Sequence, residues 1–256
     1  MPDRYAAFDA IRVEHVDDGV LRFGMRFDLV ERAHGQMGQI LKVISDDPDV
    51  RVGIVAGDTE MGPEGMVLMK QTAADWDVRL RVMQEAADLV YNTLNCVKPL
   101  VSVIPGAVLP VGLLADISIA TRGAVILDGH TAYGAVAGDH AVLSWPLLCG
   151  MAKAKYHLLT GEPMTGAEAE QMGLVSLCVD DADLETTALD IARKLAAGSQ
   201  RGLRWTKQSL NNWYRLAGPS FDASLALEFI TFGGPDVPEG LDALGAGRPP
   251  DFPERL

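Results

Sequence analysis

Two nearly continuous apolar runs, residues 50–55 (VRVGIV) and 100–104 (LVSVI), flank a long stretch whose apolar residues recur at helical spacing. Runs of this length suit strands covered on both faces, and a helix between two such strands returns the chain so that they pair in parallel. That constraint selects an α/β fold with a largely parallel sheet and right-handed crossovers. The helical stretch, residues 66–94, is best defined at Val78, Val82, Met83, Ala86, Val90 and Leu94, and Lys98-Pro99 stops it.

The remaining pattern is consistent with that frame. Residues 11–16 (IRVEHV) and 20–25 alternate apolar and polar around Asp17-Asp18-Gly19, which predicts a β-hairpin. Leu29, Val30, Ala33, Met37, Ile40, Leu41 and Ile44 predict a helix ended by Asp46-Asp47-Pro48. Short strands are expected at 117–120 and 124–127. Beyond Tyr156 the pattern turns helical, over 152–159, 165–172, 184–196, 200–215, 221–232 and 235–244, with one further strand at 174–179. No repeat or linker divides the chain, so one domain is expected: a core over 1–180 and a helical C-terminal region over 181–256.

Charge narrows the function. Lys and Arg total 22 against 35 Asp and Glu, a formal charge of −13, so a phosphate backbone would meet a like-signed surface and a nucleic-acid partner is not expected. No apolar run is long enough to span a bilayer, and the first residues lack a signal pattern, so no membrane association and a cytoplasmic location are expected. Cys96, Cys149 and Cys178 fit neither a zinc site nor a disulfide framework and are read as buried thiols; no metal is expected.

Chemistry concentrates between Leu127 and Tyr156. His130 precedes Asp139 by nine residues, with Gly134, Ala135, Ala137 and Gly138 between them, a composition suited to a tight loop that a ligand can approach. A helical pattern starts near His140, which leaves two readings of Asp139: a helix N-cap, or a carboxylate that orients the His130 ring and stabilises its cation. A second feature is the turn Ala56-Gly57-Asp58 after the first buried strand, where backbone N–H groups lie exposed at a sheet edge.

The order strand, AGD turn, long helix, KP, strand, glycine-bearing loop, LLADISIA, DGH, GD, WPLLCG and LLTGEPMTGAEAEQMGLVS resembles the crotonase superfamily, the enoyl-CoA hydratase and isomerase family, as does the ending PDVPEGLDALGAGRPPDF. The resemblance covers nearly the whole chain. It implies a spiral of ββα units whose helical C-terminal region builds a homotrimer or a dimer of trimers. It also implies an acyl-CoA substrate, with coenzyme A carried by the substrate and no separate cofactor. The shared chemistry is an enolate held by two backbone N–H groups, donors placed where charge develops. One maps onto Gly57; the second falls on Gly106 or Gly112. Against the family pattern the chain is short after Met25, between Val55 and Ala56, and between Gly106 and Asp116, which predicts a longer natural chain with an intact mass above 27.5 kDa.

The two glutamates of a water-adding member are not both in place: His130 occupies the second position, and the first falls near Pro110. His130, Gly138-Asp139 and Trp145-Pro146 are instead similar to oxocamphor hydrolase, a superfamily member that splits β-diketones, and Glu228 in SLALEF matches a glutamate of its tail. The candidate catalytic residues are therefore His130, Asp139 and Glu228. Three functions remain open: an enoyl-CoA hydratase/isomerase-type enzyme, a hydrolase of a small dicarbonyl, and an acyl-CoA-binding homologue without catalysis. On the residues alone, Glu228 reads equally as a paired structural carboxylate. Trp145, Trp205 and Trp213 read as core or interface anchors, Lys207 and Arg204 as a solvated helix face, and His15, His34, His140 and His157 as structural or surface residues.

Overall fold

The protein was analysed as a computed structural model, which describes residues 4–56, 62–106 and 110–253. A six-stranded sheet carries the fold in the order β1 (Ile11–Asp17), β2 (Val20–Met25), β3 (Val52–Val55), β4 (Leu100–Ile104), β5 (Ile117–Thr121) and β8 (Leu177–Val179). Only the β1–β2 hairpin is antiparallel; every other pairing in this sheet is parallel. β6 (Val125–Ile126) and β7 (Met164–Thr165) form a separate two-stranded ribbon.

Every residue of β3 and β4 is buried, because each strand is covered on both faces. Val20, Val52, Ile54, Val101, Val103 and Ile119 pack on helix α8 (Leu184–Ala197) through its Leu184, Ala188, Ala192 and Ala196. Leu21, Phe23, Val55 and Leu100 point the other way, onto α1 (Val30–Asp46) and α3 (Trp76–Asn95). A period of two along each strand makes this division.

The helical stretch expected over 66–94 is two helices, α2 (Gly62–Ala74) and α3. They part at Asp75, whose carboxylate accepts the N–H groups of Asp77 (2.9 Å) and Val78 (3.0 Å) and so caps the second. After β4 comes a short helix, α4 (Pro110–Leu114), and after the 3₁₀ turn at 130–133 come α5 (Ala141–Cys149), α6 (Met151–Thr160) and α7 (Gly166–Met172). These last three enclose a second core around Trp145, 1 % exposed. The tail adds α9 (Gln200–Leu210), α10 (Asn212–Leu216), α11 (Gly218–Phe232) and α12 (Asp236–Ala246). This is the mixed α/β architecture with a helical C-terminal region expected from the sequence.

Two expectations are corrected, for the cysteines and for Lys207. Of the three cysteines only Cys96 is buried; Cys149 and Cys178 are half-buried. Lys207 does not lie on a solvated face: it is buried, with its Nζ 2.8 Å from Asp116 Oδ2 and donating to the Lys98 carbonyl at 2.8 Å. The face of α9 that carries it packs back on the start of β4, a placement that a basic residue in an amphipathic helix does not announce. Trp145 is in the core, whereas Trp205 and Trp213 stand exposed. Of the three loops expected to be short, the one after Met25 closes with the Arg26 N–H on the Ala10 carbonyl (3.0 Å); the other two border residues outside the described set. Among the described residues no helix is long and apolar enough to cross a membrane.

Candidate active site

The site forms where the chain leaves β6, makes a 3₁₀ turn over His130–Tyr133, and is clamped by two tail helices. Gly134 ends the turn in the left-handed region at φ 85, a conformation that favours glycine. From there to His140 the loop lies against α11. The Val136 N–H donates to Thr231 Oγ1 (3.1 Å), Ser224 Oγ donates to the Gly138 carbonyl (2.8 Å), and the Gly138 N–H donates to Glu228 Oε2 (3.1 Å). A Cβ at Gly138 would meet the Ser224 carbonyl oxygen at 2.2 Å, so only glycine allows this approach.

His130 sits between carboxylates. Its Nδ1 lies 3.0 Å from Asp128 Oδ1, and its Nε2 lies 3.5 Å from Glu228 Oε1. The same Asp128 oxygen accepts the backbone N–H of His130 at 3.2 Å. Tyr133 stacks obliquely beside the ring, centroids 5.4 Å apart. Asp139 is close, since Asp128, His130 and Asp139 each offer a donor atom within 4.8 Å of the others. Its hydrogen bond, however, goes to His140: Oδ1 lies 2.6 Å from Nδ1 of that ring. The hydrogen bond that orients the His130 ring runs to Asp128, because a two-residue separation brings this carboxylate back on the turn. Nor does Asp139 cap α5; the N-cap position is His140, whose carbonyl takes the Leu143 and Ser144 N–H groups.

Burial and charge set the protonation of this group. Burial and then the Asp139 charge push the Glu228 carboxyl well above the usual range. Burial works against the cation of His130, but the charges of Asp128, Glu228 and Asp139 outweigh it and hold the imidazole well above its ordinary value. Burial likewise opposes the charge of Asp128, yet the His130 cation and its hydrogen bond bring that carboxyl below its ordinary value. Asp139 is lowered too, burial being outweighed by His140 and then His130, and His140 is raised against burial by Asp139. The outcome of burial and charge together is a cluster in which both aspartate carboxyls are lowered, while both imidazoles and the Glu228 carboxyl are raised. The donor set of Asp128, His130 and Asp139 is one that metals accept; the contacts of Asp128 and Asp139 run to the imidazoles of His130 and His140, an arrangement suited to sharing protons.

The candidate oxyanion donors are placed less completely. Gly57 lies outside the described residues. Gly106 follows β4 in a bend beside Pro105, half-buried at the C-terminal end of the sheet. Gly112 is buried inside α4, and its carbonyl accepts the Ser102 hydroxyl at 2.7 Å. The structure thus brings His130, Asp139 and Glu228 together with three residues not singled out from the sequence as site members: Asp128, His140 and Tyr133. Asp128 had a legible signal in Asp-Gly-His, a side chain positioned to accept from the backbone two residues on. Tyr133 had none.

Comparison with known proteins agrees with this architecture. The enoyl-CoA hydratase/isomerase family model matches residues 29–255. The 1,2-epoxyphenylacetyl-CoA isomerase of Escherichia coli is 26 % identical over 257 aligned positions, covering 94 % of this chain and 97 % of its own. A probable mitochondrial enoyl-CoA hydratase of Dictyostelium discoideum is 28 % identical, covering 85 % of this chain and 79 % of its own. Among solved structures, a β-diketone hydrolase of the cyanobacterium Anabaena, bound to (S)-3-oxocyclohexyl acetic acid, superposes with a TM-score of 0.80 at 25 % identity, covering 91 % of this chain and 98 % of its own. A family match over most of the chain, on this sheet and tail, shows that the protein belongs to the enoyl-CoA hydratase/isomerase family, within the crotonase superfamily.

Proposed function

We propose that this protein carries out acid–base chemistry on an acyl-CoA thioester through an enolate, with His130 and Asp139 in place of the usual pair of glutamates. The observation that carries the reading is the His130 imidazole, its Nδ1 facing Asp128 at 3.0 Å and its Nε2 turned to the buried Glu228. In the hydration direction Asp139 takes a proton from water while the water oxygen bonds to the β-carbon of an enoyl thioester. The π electrons shift to the α-carbon and carbonyl, main-chain N–H groups hold the enolate oxygen, and His130 then gives its proton to the α-carbon. Proton transfer from Asp139 to His130 resets the pair. Gly57, with Gly106 or Gly112, is the proposed source of the main-chain donors.

A second reading is hydrolysis of a small β-dicarbonyl. It is favoured by Glu228 standing beside His130 Nε2 and by the likeness to the Anabaena hydrolase. Here neutral His130 takes a proton from water, the hydroxide adds to one carbonyl, and the carbon–carbon bond breaks to leave a carboxylic acid and an enolate, which is then protonated.

Incubation with crotonyl-CoA and with a cyclic β-diketone tests both: the first reading requires loss of the conjugated absorbance, the second release of an acid. If neither reacts while CoA esters raise the melting temperature, the acyl-CoA-binding reading without catalysis replaces both. The exposed Trp205, Leu210, Trp213 and Leu216 of the tail further support a homotrimer or dimer of trimers, to be read by sedimentation.

A further inference from the structure

We propose that Asp128 is the positioning residue of this site: it holds His130 as the Nδ1–H tautomer and thereby reserves Nε2 for proton exchange with substrate and Glu228. The inference deepens the reading of the site as an acid–base centre and rests on it.

The geometry is specific. One oxygen, Asp128 Oδ1, receives both the backbone N–H of His130 (3.2 Å) and its ring Nδ1 (3.0 Å), so main chain and imidazole are fixed to the same point. The Asp128 side chain is 2 % exposed and that of His130 is 17 % exposed, which leaves little water to compete for either contact. An ionised carboxylate only accepts, so Nδ1 must carry the hydrogen. Nε2 is then the nitrogen that gains and loses a proton. Asp139, which by spacing is the alternative holder, is occupied by His140 at 2.6 Å. The other groups facing the ring are Glu228 from α11 and Tyr133 from the same turn.

The test reads the imidazole directly and needs no turnover. In protein labelled with ¹³C and ¹⁵N histidine, the His130 signals, assigned by their loss in His130→Asn, are titrated in wild type, Asp128→Asn and Asp139→Asn. Asp128→Asn keeps the side-chain shape and removes the charge. It is expected to lower the proton affinity of His130 about tenfold or more and to spread the neutral ring over both tautomers. Asp139→Asn is expected to leave the tautomer as it is. An unchanged His130 tautomer and titration in Asp128→Asn, or loss of the Nδ1–H form in Asp139→Asn alone, overturns the assignment. Where a turnover assay is in hand, Asp128→Asn shifts the pH profile and lowers kcat with KM held; a merely structural aspartate would move neither. Absence of turnover on every substrate defeats the functional reading but leaves the tautomer result standing, so the two failures are distinguishable.

Discussion

The amide of Gly138 donates to Oε2 of Glu228 at 3.1 Å across ninety residues of chain, and this contact fastens the loop between Gly134 and His140 to the helical tail. A methyl group at Gly138 would also meet Glu228 Cβ at 2.9 Å. Gly138→Ala is therefore expected to push α11 away from the loop, destabilising the protein by about 1–3 kcal/mol and moving Glu228 off His130. Urea unfolding, with the His130 signals as a local reporter, checks both effects.

Burial and the Asp139 charge raise the Glu228 carboxyl and so favour its neutral form, which Glu228→Gln imitates with a neutral amide of the same shape. Its folded pKa is raised above the ordinary 4.5, so whatever stability it contributes is present below that value and lost as pH rises through the folded one. Glu228→Gln is expected to match wild type in acid and to exceed it in stability at alkaline pH, while the amide oxygen keeps the bond from Gly138. Melting temperatures across pH measure it; a variant less stable at high pH than wild type contradicts the raised Glu228 carboxyl.

The Asp128–His130 pair titrates in two opposite senses. His130 is raised above 6.5, so its contribution is full below that value and is lost as pH climbs through the folded one. Asp128 is lowered below 3.8, so its contribution is full above that value and is lost as pH falls through the folded one. The difference in unfolding free energy between wild type and His130→Asn should therefore be largest between these limits and shrink on both sides.

Lys207 is expected to matter as much as a core residue. Lys207→Met leaves Asp116 without its cationic partner at 2.8 Å and removes the Nζ donor from the Lys98 carbonyl, a loss of about 3 kcal/mol in unfolding free energy. Asp116 Oδ2 also accepts the Leu100 N–H at 2.7 Å, so the start of β4 should loosen first, which amide exchange at Leu100 would report.

Much of the scaffold was legible because its signals are local. β3 and β4 show as apolar runs, the first hairpin as alternation around Asp17-Asp18-Gly19, and α8 as a helical pattern over 184–196. The break at Asp75 was missed because the apolar period continues across it while a single cap divides the helix. Lys207 was misread because a basic side chain in an amphipathic helix looks solvated until its partner, Asp116, is seen on another element.

The chain by itself determined that strands and helices alternate, that His130 and Asp139 are candidates for moving protons with small residues between them, and, through the family resemblance, that Glu228 is a third; periodicity, residue type and that resemblance carry this much. Only the tertiary structure decided which carboxylate faces which nitrogen. Asp128 reaches Nδ1 through the curl of a short turn, Asp139 is diverted to His140, and Glu228 arrives on a helix fastened at Gly138. Such pairings depend on side-chain rotation and on contacts between distant segments, where a shift of an ångström exchanges one acceptor for another. No spacing along a sequence fixes a distance that the packing of α11 against a loop must set.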